Sequence, residues 1–429
     1  AEKHDMSHQL SQADQEQYRR DGFFFPLRIF SAEATVDNRE QLENLEAKNC
    51  LMKSLLEQLT NCQLPAEQAF SIPPECYTSE ELLQEELEKV FQHNWIGLGR
   101  ADRFAVSGDY ETMNLGGKPV IVLRDHDGIL RAFANTCRHR GARLLNDDGN
   151  CKHIRCPFHA WTYKLDGSLS GAPHMNKVSG FERSDYGLIS YHAEERLGFA
   201  FVCLTPSAPD LDDYLGDFAE IHAPWPIESL VTTRRRSLTV DCNWKAFLDV
   251  FNEYYHLPFV HPDSLDEIYN FPTPADKVTG AFASQFGNTE GTGGLLQDSE
   301  EQPLPNMTNL QGCAASGVQY TWVFPNMTFA AGMDVLWIYE AYPLGADCCQ
   351  VYQSICVPPV TTALPDFEKK IAAYYQRFDA GIEEDIPALV NQQRGLASSD
   401  ARQGRFQPHL EANVASFARW YANQCLGQS

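Results

Sequence analysis

Alternating apolar and polar residues between Trp95 and about Leu204 form the first clear pattern along the chain. Short runs such as "KPVIVLRDHDG" and "GFAFVCL" are separated by Gly and Asp residues. Alternation with a period of two, interrupted by turn residues, is typical of antiparallel strands. We therefore predict a small antiparallel β-domain over residues 95–205.

The N-terminal part of the chain has a helical pattern instead. Its apolar positions recur at helical spacings and form one stripe, which consists of Leu42, Leu45, Met52, Leu55 and Leu59. We predict a helical extension over residues 1–60, whose stripe packs on the main body or on a second subunit. A further helical segment is predicted over residues 61–94.

Longer elements follow the linker "TPSAPDLDDYLGDF". A strand, "RRRSLTV", precedes a long helix that begins near "NWKAFLDVFNEYYHL". More strands are predicted at "VQYTWVF", "MTFAAG" and "DVLWIYEAY", and a helix is predicted over roughly 366–394 with Gly395 as its cap. These elements predict a second, larger domain over residues 206–429.

Composition narrows the possible partners and location. Hydrophobic residues make up 43% of the 429 residues, and 34 basic against 58 acidic side chains give a net charge of −24. Such a charge disfavours binding to nucleic acid. We expect no membrane span and no signal peptide, because no long apolar run occurs and the first residues are polar. Thirteen cysteines without a secretory signal predict a cytoplasmic protein.

Two cysteines and two histidines stand in mirrored pairs within "CRHRGARLLNDDGNCKHIRCPFHAW". Cys137 and His139 form the first pair, and Cys156 and His159 form the second. Four such ligands can close a tetrahedral zinc site, or they can bind a [2Fe–2S] cluster with both cysteines on one iron and both histidines on the other. Zinc fingers usually keep their cysteines together. Because each segment here supplies one residue of each kind, we favour the cluster.

A second group of potential ligands lies in "NWKAFLDVFNEYYHLPFVHP". Asp249, Glu253 and His256 fall on one side of the predicted helix, and this helix cannot continue past Pro258, so His261 is predicted on a loop. Two histidines and one distant carboxylate form a facial triad, which leaves open positions on a non-haem iron for O₂ and substrate.

The carboxylate of this triad is not fixed by spacing alone. The segment "FDAGIEEDIPALVNQQRGLAS" offers four candidates, namely Asp379, Glu383, Glu384 and Asp385. His261 and Asp263 also match the His-x-Asp pattern of 2-oxoglutarate dioxygenases, but that alternative gives His256 and the cysteine–histidine pairs no role.

From about Leu64 to the C-terminus the chain resembles the Rieske non-haem iron oxygenases. "CRHRG" and "CPFHAWTYKLDGSL" resemble their Rieske domains, and "NWK" followed by an acid-x-Tyr-His motif and a second histidine resembles their catalytic domains. Ala142 and Phe158 stand where respiratory Rieske proteins have additional cysteines, so the oxygenase branch is the better match.

The resemblance implies an α+β protein. A small antiparallel β Rieske [2Fe–2S] domain would be joined to a larger catalytic domain of helix-grip type, in which helices pack on an antiparallel sheet. It implies a mononuclear Fe(II) bound by His256, His261 and the aspartate that precedes "QRGL", which is Asp385, with Asp379 as the second choice. It further implies that Glu253 links an iron histidine to a cluster histidine of the neighbouring subunit in a head-to-tail homotrimer.

We therefore predict the terminal oxygenase component of a Rieske oxygenase system. It would use O₂ and electrons from a separate NAD(P)H-dependent flavin or iron–sulfur reductase, since the chain has no GxGxxG nucleotide-binding motif. The products would be a hydroxylated or oxidatively demethylated small molecule. A Rieske electron carrier without oxygenase activity is an alternative from another class, but it gives His256 and His261 no role.

The identity of one residue, the glutamate at position 253, predicts the substrate class. Glutamate at position 253, where many aromatic-ring dioxygenases of the family have aspartate, favours an N-methylated or quaternary amine, and aromatic acids or rings are the alternative. A quaternary cation needs an aromatic cage, for which the candidates are Tyr254, Trp322, Phe324, Phe329, Trp337 and Tyr339.

Overall fold

The computed structural model describes residues 53–265, 268–269, 271–296 and 298–427. From residue 58 onward the described chain forms one compact unit. Of the predicted N-terminal stripe, Leu42, Leu45 and Met52 lie outside the described residues, whereas Leu55 and Leu59 lie in helical segments. None of the described helices is long and apolar enough to cross a membrane.

The β-domain predicted from the alternating pattern is built from antiparallel strands. Within the described residues, a seven-stranded sheet has the order β1-β10-β9-β4-β3-β2-β5, and a small sheet has the order β6-β7-β8. The strands are β1 (Ile96–Arg100), β2 (Asp109–Leu115), β3 (Lys118–Arg124), β4 (Leu130–Ala134), β5 (Gly149–Asn150), β6 (Ile154–Arg155), β7 (Thr162–Tyr163), β8 (Leu169–Gly171), β9 (Ser190–Arg196) and β10 (Phe199–Cys203).

A second antiparallel sheet forms the base of the larger domain. Its order is β11-β16-β15-β14-β13-β12. The strands are β11 (Val231–Val240), β12 (Phe282–Asn288), β13 (Gly317–Val323), β14 (Met327–Ala331), β15 (Leu336–Gly345) and β16 (Cys348–Val357). The sequence pattern predicted four of these strands but did not single out β12 or β16.

Helices precede both sheets and cover one face of the second. The described α-helices that begin after residue 74 are α1 (Glu75–Thr78), α2 (Glu80–Glu86), α3 (Leu211–Leu215), α4 (Phe218–His222), α5 (Trp244–Phe251), α6 (Leu257–Val260), α7 (Pro359–Thr362), α8 (Phe367–Leu396) and α9 (Ala412–Leu426). Shorter helical turns are a π-turn at Leu87–Gln92 and 3₁₀-turns at Ala101–Phe104, Met175–Lys177, Arg183–Tyr186, Ile227–Ser229 and Gly312–Ala315.

The start of α5 is fixed by buried polar contacts. The Asn243 side chain caps the helix by accepting a hydrogen bond from the Lys245 backbone N–H (3.0 Å). Lys245 Nζ is fully buried and lies 2.6 Å from Glu86 Oε1, while Trp244 Nε1 donates to Glu86 Oε2 (3.0 Å). These contacts hold the "NWK" segment against the preceding helices, so the residues that follow α5 emerge at a defined place.

The prediction of one long helix through His256 was wrong. Helix α5 ends at Phe251, and His256 and His261 flank the next short helix, α6. The Glu253 carboxylate accepts hydrogen bonds from the backbone N–H groups of Tyr255 and His256. Because these donors are taken by a side chain, the α-helical hydrogen-bond ladder does not continue through them.

The predicted helix over 366–394 is observed as α8. It runs two residues further, so Gly395 lies inside it instead of capping it, and Ala397 is the cap residue. Helix α8 packs on the second sheet, where the rings of Phe378 and Trp337 lie 4.8 Å apart. This packing places one face of α8 above β15.

Candidate active site

Two loops of the β-domain carry the predicted cluster ligands. The first loop follows β4 and contains Cys137 and His139. Its shape is held by Asn135, whose side-chain oxygen accepts hydrogen bonds from the Leu144 and Leu145 N–H groups, both at 3.0 Å. The second loop, between β6 and β7, contains Cys156 and His159. It closes through a hydrogen bond from Cys156 N to Trp161 O (2.8 Å).

The four predicted cluster ligands are brought together by these loops. Cys137 and Cys156 are buried in the same hydrophobic core, and burial, followed by a smaller effect of Cys156, raises the pKa of the Cys137 thiol. The rings of His139 and His159 have centroids 4.6 Å apart. The buried thiols and half-buried imidazoles therefore match a cluster with its cysteine side inside the domain and its histidine side towards solvent.

The surroundings of these ligands fit an iron–sulfur cluster. The Nδ1 atom of His139 is buried and has no hydrogen-bond partner, although buried polar atoms are nearly always satisfied. A metal ion at this nitrogen would satisfy it. Tyr163 contributes a hydroxyl group 3.4 Å from Cys137 Sγ, and hydrogen bonds to cluster ligands tune the reduction potential.

We expect Cys137→Ala or His159→Ala to abolish the red-brown colour and the Rieske electron paramagnetic resonance signal of the reduced protein. Each change removes one of only four ligands, and the cluster needs all of them. Cys151→Ala is a matched control, because Cys151 lies near the loops but outside the mirrored pairs. It should retain colour and signal. A colourless, zinc-containing wild type from iron-replete cells would contradict the assignment.

The second predicted group also comes together. Among the described residues, the ligand atoms of His256, His261 and Asp385 all lie within 4.8 Å of one another. Asp385 Oδ1 lies 2.9 Å from His261 Nε2 and 3.6 Å from His256 Nε2. Two imidazole nitrogens and one carboxylate oxygen therefore face a common point, as in a facial triad. We refer to these three residues as the triad.

Each histidine of the triad is held from behind by a glutamate. His256 Nδ1 contacts Glu253, and His261 Nδ1 lies 2.6 Å from Glu384 Oε2, which also accepts a hydrogen bond from Ser264 (2.6 Å). An Nδ1–H that donates to a carboxylate leaves Nε2 free for a metal and raises its basicity. Burial lowers the pKa of His261, but Asp385 and Glu384 raise it above its ordinary value.

Helix α8 explains which acidic residue joins the histidines. Asp379, the second choice, forms ion pairs with Arg234 (2.5 Å) and Arg236 (2.8 Å) of β11. Glu383 is exposed to solvent, and Glu384 contacts the far side of His261. Residues along a helix point outward about 100° apart, so only Asp385 faces both Nε2 atoms.

The other acidic residues near the two histidines in sequence, Asp249 and Asp263, do not join the triad. Asp249 accepts a hydrogen bond from the Tyr77 hydroxyl (3.0 Å) and does not reach the triad, and burial raises its pKa to about 7. Asp263 is exposed and does not belong to the group of ligand atoms, so the His-x-Asp alternative is not supported.

The triad fits a metal ion. Asp385 Oδ1 is buried and makes no hydrogen bond in spite of the nearby imidazoles. A carboxylate oxygen and two Nε2 atoms without donors between them are the donor set that non-haem Fe(II) prefers.

A cavity with aromatic walls opens beside the triad. Of the predicted cage residues, Tyr254, Trp337 and Tyr339 line it, while Trp322, Phe324 and Phe329 do not. The aromatic lining residues that the sequence did not single out are Phe247, Phe251, Tyr269 and Tyr320.

Strand alternation excludes one of the other three cage candidates from the cavity, and packing against α9 excludes two. Phe329 pairs across the strands with Ile338, so it faces away from Trp337 and Tyr339, and it stacks on Phe199 in the core. Trp322 is covered by Phe417 of α9, with ring centroids 3.9 Å apart. The ring of Phe324 also packs against Phe417 and Trp420.

Comparison with known proteins agrees with this geometry. Residues 94–182 match the Rieske [2Fe-2S] domain, and residues 227–427 match the catalytic domain of the ring hydroxylating alpha subunit. The carnitine monooxygenase oxygenase subunit of Escherichia coli (strain K12) is 30% identical over 352 residues, which cover 80% of this chain and 89% of that protein. The chain belongs to the Rieske non-haem iron oxygenases.

Two other proteins that are similar to this oxygenase are also named as monooxygenases of quaternary ammonium compounds. The glycine betaine monooxygenase oxygenase subunit of Chromohalobacter salexigens is 30% identical over 388 residues, covering 83% of this chain and 86% of that protein. The crystal structure of a quaternary ammonium Rieske monooxygenase with its substrate gamma-butyrobetaine matches with a TM-score of 0.70 and 26% identity, covering 85% and 98% of the two chains. The predicted fold, a Rieske domain joined to a helix-on-sheet catalytic domain, is confirmed.

Membership of the family establishes the enzyme class and its cofactors. This Rieske oxygenase is an oxidoreductase that uses a Rieske [2Fe–2S] cluster and a mononuclear iron. As the oxygenase subunit of a multicomponent system, it works with a reductase, O₂ and a small-molecule substrate.

Proposed function

We propose that this oxygenase hydroxylates or oxidatively demethylates an N-methylated or quaternary amine. The observation that carries the proposal is the aromatic cavity beside the triad, where Tyr254, Trp337 and Tyr339 meet Tyr320. Several π-faces around one space attract a quaternary ammonium group through cation–π interactions. Relatives named for carnitine and glycine betaine support the same substrate class.

In this proposal each metal has a defined set of ligands. Cys137, His139, Cys156 and His159 hold the cluster. His256, His261 and Asp385 hold Fe(II), which supplies the reduction of O₂ and the transfer of oxygen to the substrate when it is bound there.

The other residues of the site position the ligands and exclude water. Glu253 and Glu384 fix the imidazole orientation and tautomer of the two iron histidines, and Asp385 supplies a carboxylate oxygen beside their Nε2 atoms. The buried rings of Trp337 and Tyr339 keep water away from the substrate. A cationic methyl group held against these rings would lie beside the triad.

We also propose a head-to-tail homotrimer in which one subunit's cluster serves its neighbour's iron. Phe158, next to the cluster ligand His159, is 58% exposed, and Tyr255 and Phe259, next to the iron ligand His256, are 51% and 76% exposed. Exposed apolar residues at both metal sites favour a contact there, and a heterologous contact of this kind closes into a ring.

Three further proposals concern organisation and location. The Rieske domain spans residues 95–205, and the catalytic domain spans residues 206–429 together with the segment 61–94. This segment supplies Glu86 to the buried pair with Lys245. Electrons come from a flavin or iron–sulfur reductase. The described cysteines are free thiols, which supports a cytoplasmic location.

Turnover assays with the iron-loaded enzyme and a reductase test the proposed substrate class. We expect O₂ uptake and a demethylated or hydroxylated product, identified by mass spectrometry, with betaines or other N-methylated amines, and none with benzoate or salicylate. The His261→Ala variant serves as a control, because product formed without the triad would be nonspecific. Turnover restricted to aromatic acids would overturn the amine proposal, and a chain that holds only the cluster and turns over neither panel would be an electron carrier.

A further inference from the structure

One cationic side chain in the wall of the substrate cavity has no anionic partner within the part of the chain that the structure describes. Arg377 is only 5% exposed. Its Nη2 atom donates a hydrogen bond to the Tyr269 hydroxyl (2.6 Å), while its Nε atom is buried without a partner. The guanidinium group lies over the rings of Trp337, Phe378 and Tyr269, 4.9–5.8 Å from their centroids, and it forms no ion pair with a described carboxylate.

Two other cations of this fold are paired with a carboxylate, and a third, Arg100, is buried but donates hydrogen bonds to four backbone carbonyl groups. Lys245 lies 2.6 Å from Glu86, and Arg235 lies 2.6 Å from Glu340. Burial of a charge is costly unless it is paired, and a guanidinium group does not lose its proton in proteins. Arg377 therefore departs from the pattern of its own fold, and it does so at the wall of the substrate cavity.

The position of Arg377 relates it directly to the iron site. Arg377, Gly381 and Asp385 follow one another at intervals of four residues and lie on one face of α8, and all three line the cavity. Gly381 has no side chain, and a Cβ atom there would be in van der Waals contact with Leu265 Cδ1 (3.6 Å) and Arg377 Nη1 (3.8 Å). Helix α8 therefore places no side chain between the guanidinium group and the iron carboxylate on this face.

The charges of the cavity restrict what can enter. A simple cation would meet the aromatic rings but also a guanidinium group that has no ion-pair partner among the described residues, and this group repels it in a medium of low dielectric constant. A ligand with a carboxylate would pair with Arg377 through a charge-assisted, bidentate hydrogen bond. The helical rise places the Cα atoms of Arg377 and Asp385 about 12 Å apart, and both residues line the same cavity, so one ligand can contact both.

We propose that Arg377 is a specificity-determining residue that binds a carboxylate of the substrate, so that the oxygenase accepts zwitterionic N-methylated amino acids or betaines and rejects simple quaternary cations. This inference rests on the proposed function only in that the substrate contains an N-methylated amine, because the carboxylate site is argued from Arg377. The carboxylate would lie against Arg377, and the N-methyl group would lie against the aromatic rings nearer the triad.

Glycine betaine and choline form the matched pair of probes. Both carry a trimethylammonium group, but only glycine betaine has a carboxylate. We expect the iron-loaded enzyme to bind glycine betaine at least about 30-fold more tightly than choline by calorimetry, because leaving a buried charge unpaired costs at least a factor of this size. Arg377→Gln should remove this preference, and Arg377→Lys should restore part of it.

Controls separate specificity from folding. Arg394→Gln removes an exposed arginine of the same helix and should leave the preference unchanged. The measured quantity is the ratio of the two dissociation constants, which a general loss of stability does not alter. The cluster spectrum and iron content verify that each variant is intact.

Two outcomes distinguish this inference from the proposed function. Equal binding of choline and glycine betaine to the wild type, or a preference that survives Arg377→Gln, would overturn the role of Arg377 and leave the amine function standing. Binding of benzoate that depends on Arg377, without binding of any N-methylated compound, would support the carboxylate site and overturn the amine function.

Discussion

Replacing Asp385 with Ala is expected to remove the mononuclear iron and to reduce turnover to background, while the cluster spectrum stays unchanged. Asp385 supplies the oxygen atom that faces both histidine Nε2 atoms, and a site with two remaining ligands does not retain the metal firmly. Iron analysis should fall from about three to about two atoms per chain. His256→Ala and His261→Ala should behave in the same way.

Asp379→Ala is the matched control, because it removes an aspartate from the same helix. Asp379 pairs with Arg234 and Arg236 and not with the histidines, so this variant should keep its mononuclear iron. If Asp379→Ala lost iron and turnover while Asp385→Ala kept both, the choice of carboxylate would be wrong.

Glu253→Gln is expected to lower turnover by about 10- to 100-fold while both metals and the trimer are retained. The glutamate contacts His256 Nδ1 and two backbone N–H groups. Glutamine keeps the shape but removes the charge that supports the imidazole and, in the proposed trimer, the link to the neighbouring cluster histidine. Single-turnover measurements on the pre-reduced variant should show slow reoxidation of the cluster.

The Glu384→Gln variant is a control that distinguishes a loss of electron transfer between subunits from a loss of carboxylate support for an iron ligand. Glu384 holds His261 as Glu253 holds His256, but the proposed trimer gives it no part in the link to the cluster. The Glu384→Gln variant should bind iron more weakly. Once its site is loaded with iron, its cluster should be reoxidised at the wild-type rate. Wild-type reoxidation in Glu253→Gln, or an active wild-type monomer by sedimentation, would contradict the proposed link.

Short-range patterns were sufficient for the cluster loops. Cys137 and His139 lie within one loop, as do Cys156 and His159, so the spacing of each pair directly reports local geometry. The alternation that predicted β3, β4 and β10 is also local, because each strand shows its buried face every second residue.

The end of α5 required knowledge of side-chain contacts. The apolar spacing from Trp244 to Tyr255 is compatible with one continuous helix. Only the structure shows that the Glu253 carboxylate accepts hydrogen bonds from the backbone N–H groups of Tyr255 and His256. The pattern placed the two histidines close together in sequence, but it did not reveal that both point their Nε2 atoms at Asp385.

The sequence by itself therefore determined the family, the order of the two metal motifs and the ligands that lie close together along the chain. The tertiary structure decided which of four acidic residues of α8 faces His256 and His261 and which aromatic rings line the cavity. It also decided that Arg377 is buried without a carboxylate partner among the described residues. These features depend on how α8 is rotated and on which strand face it covers. That rotation results from packing between residues far apart in the sequence, such as Phe378 on Trp337 (41 positions) and Asp379 on Arg234 (145 positions), and no local pattern records it.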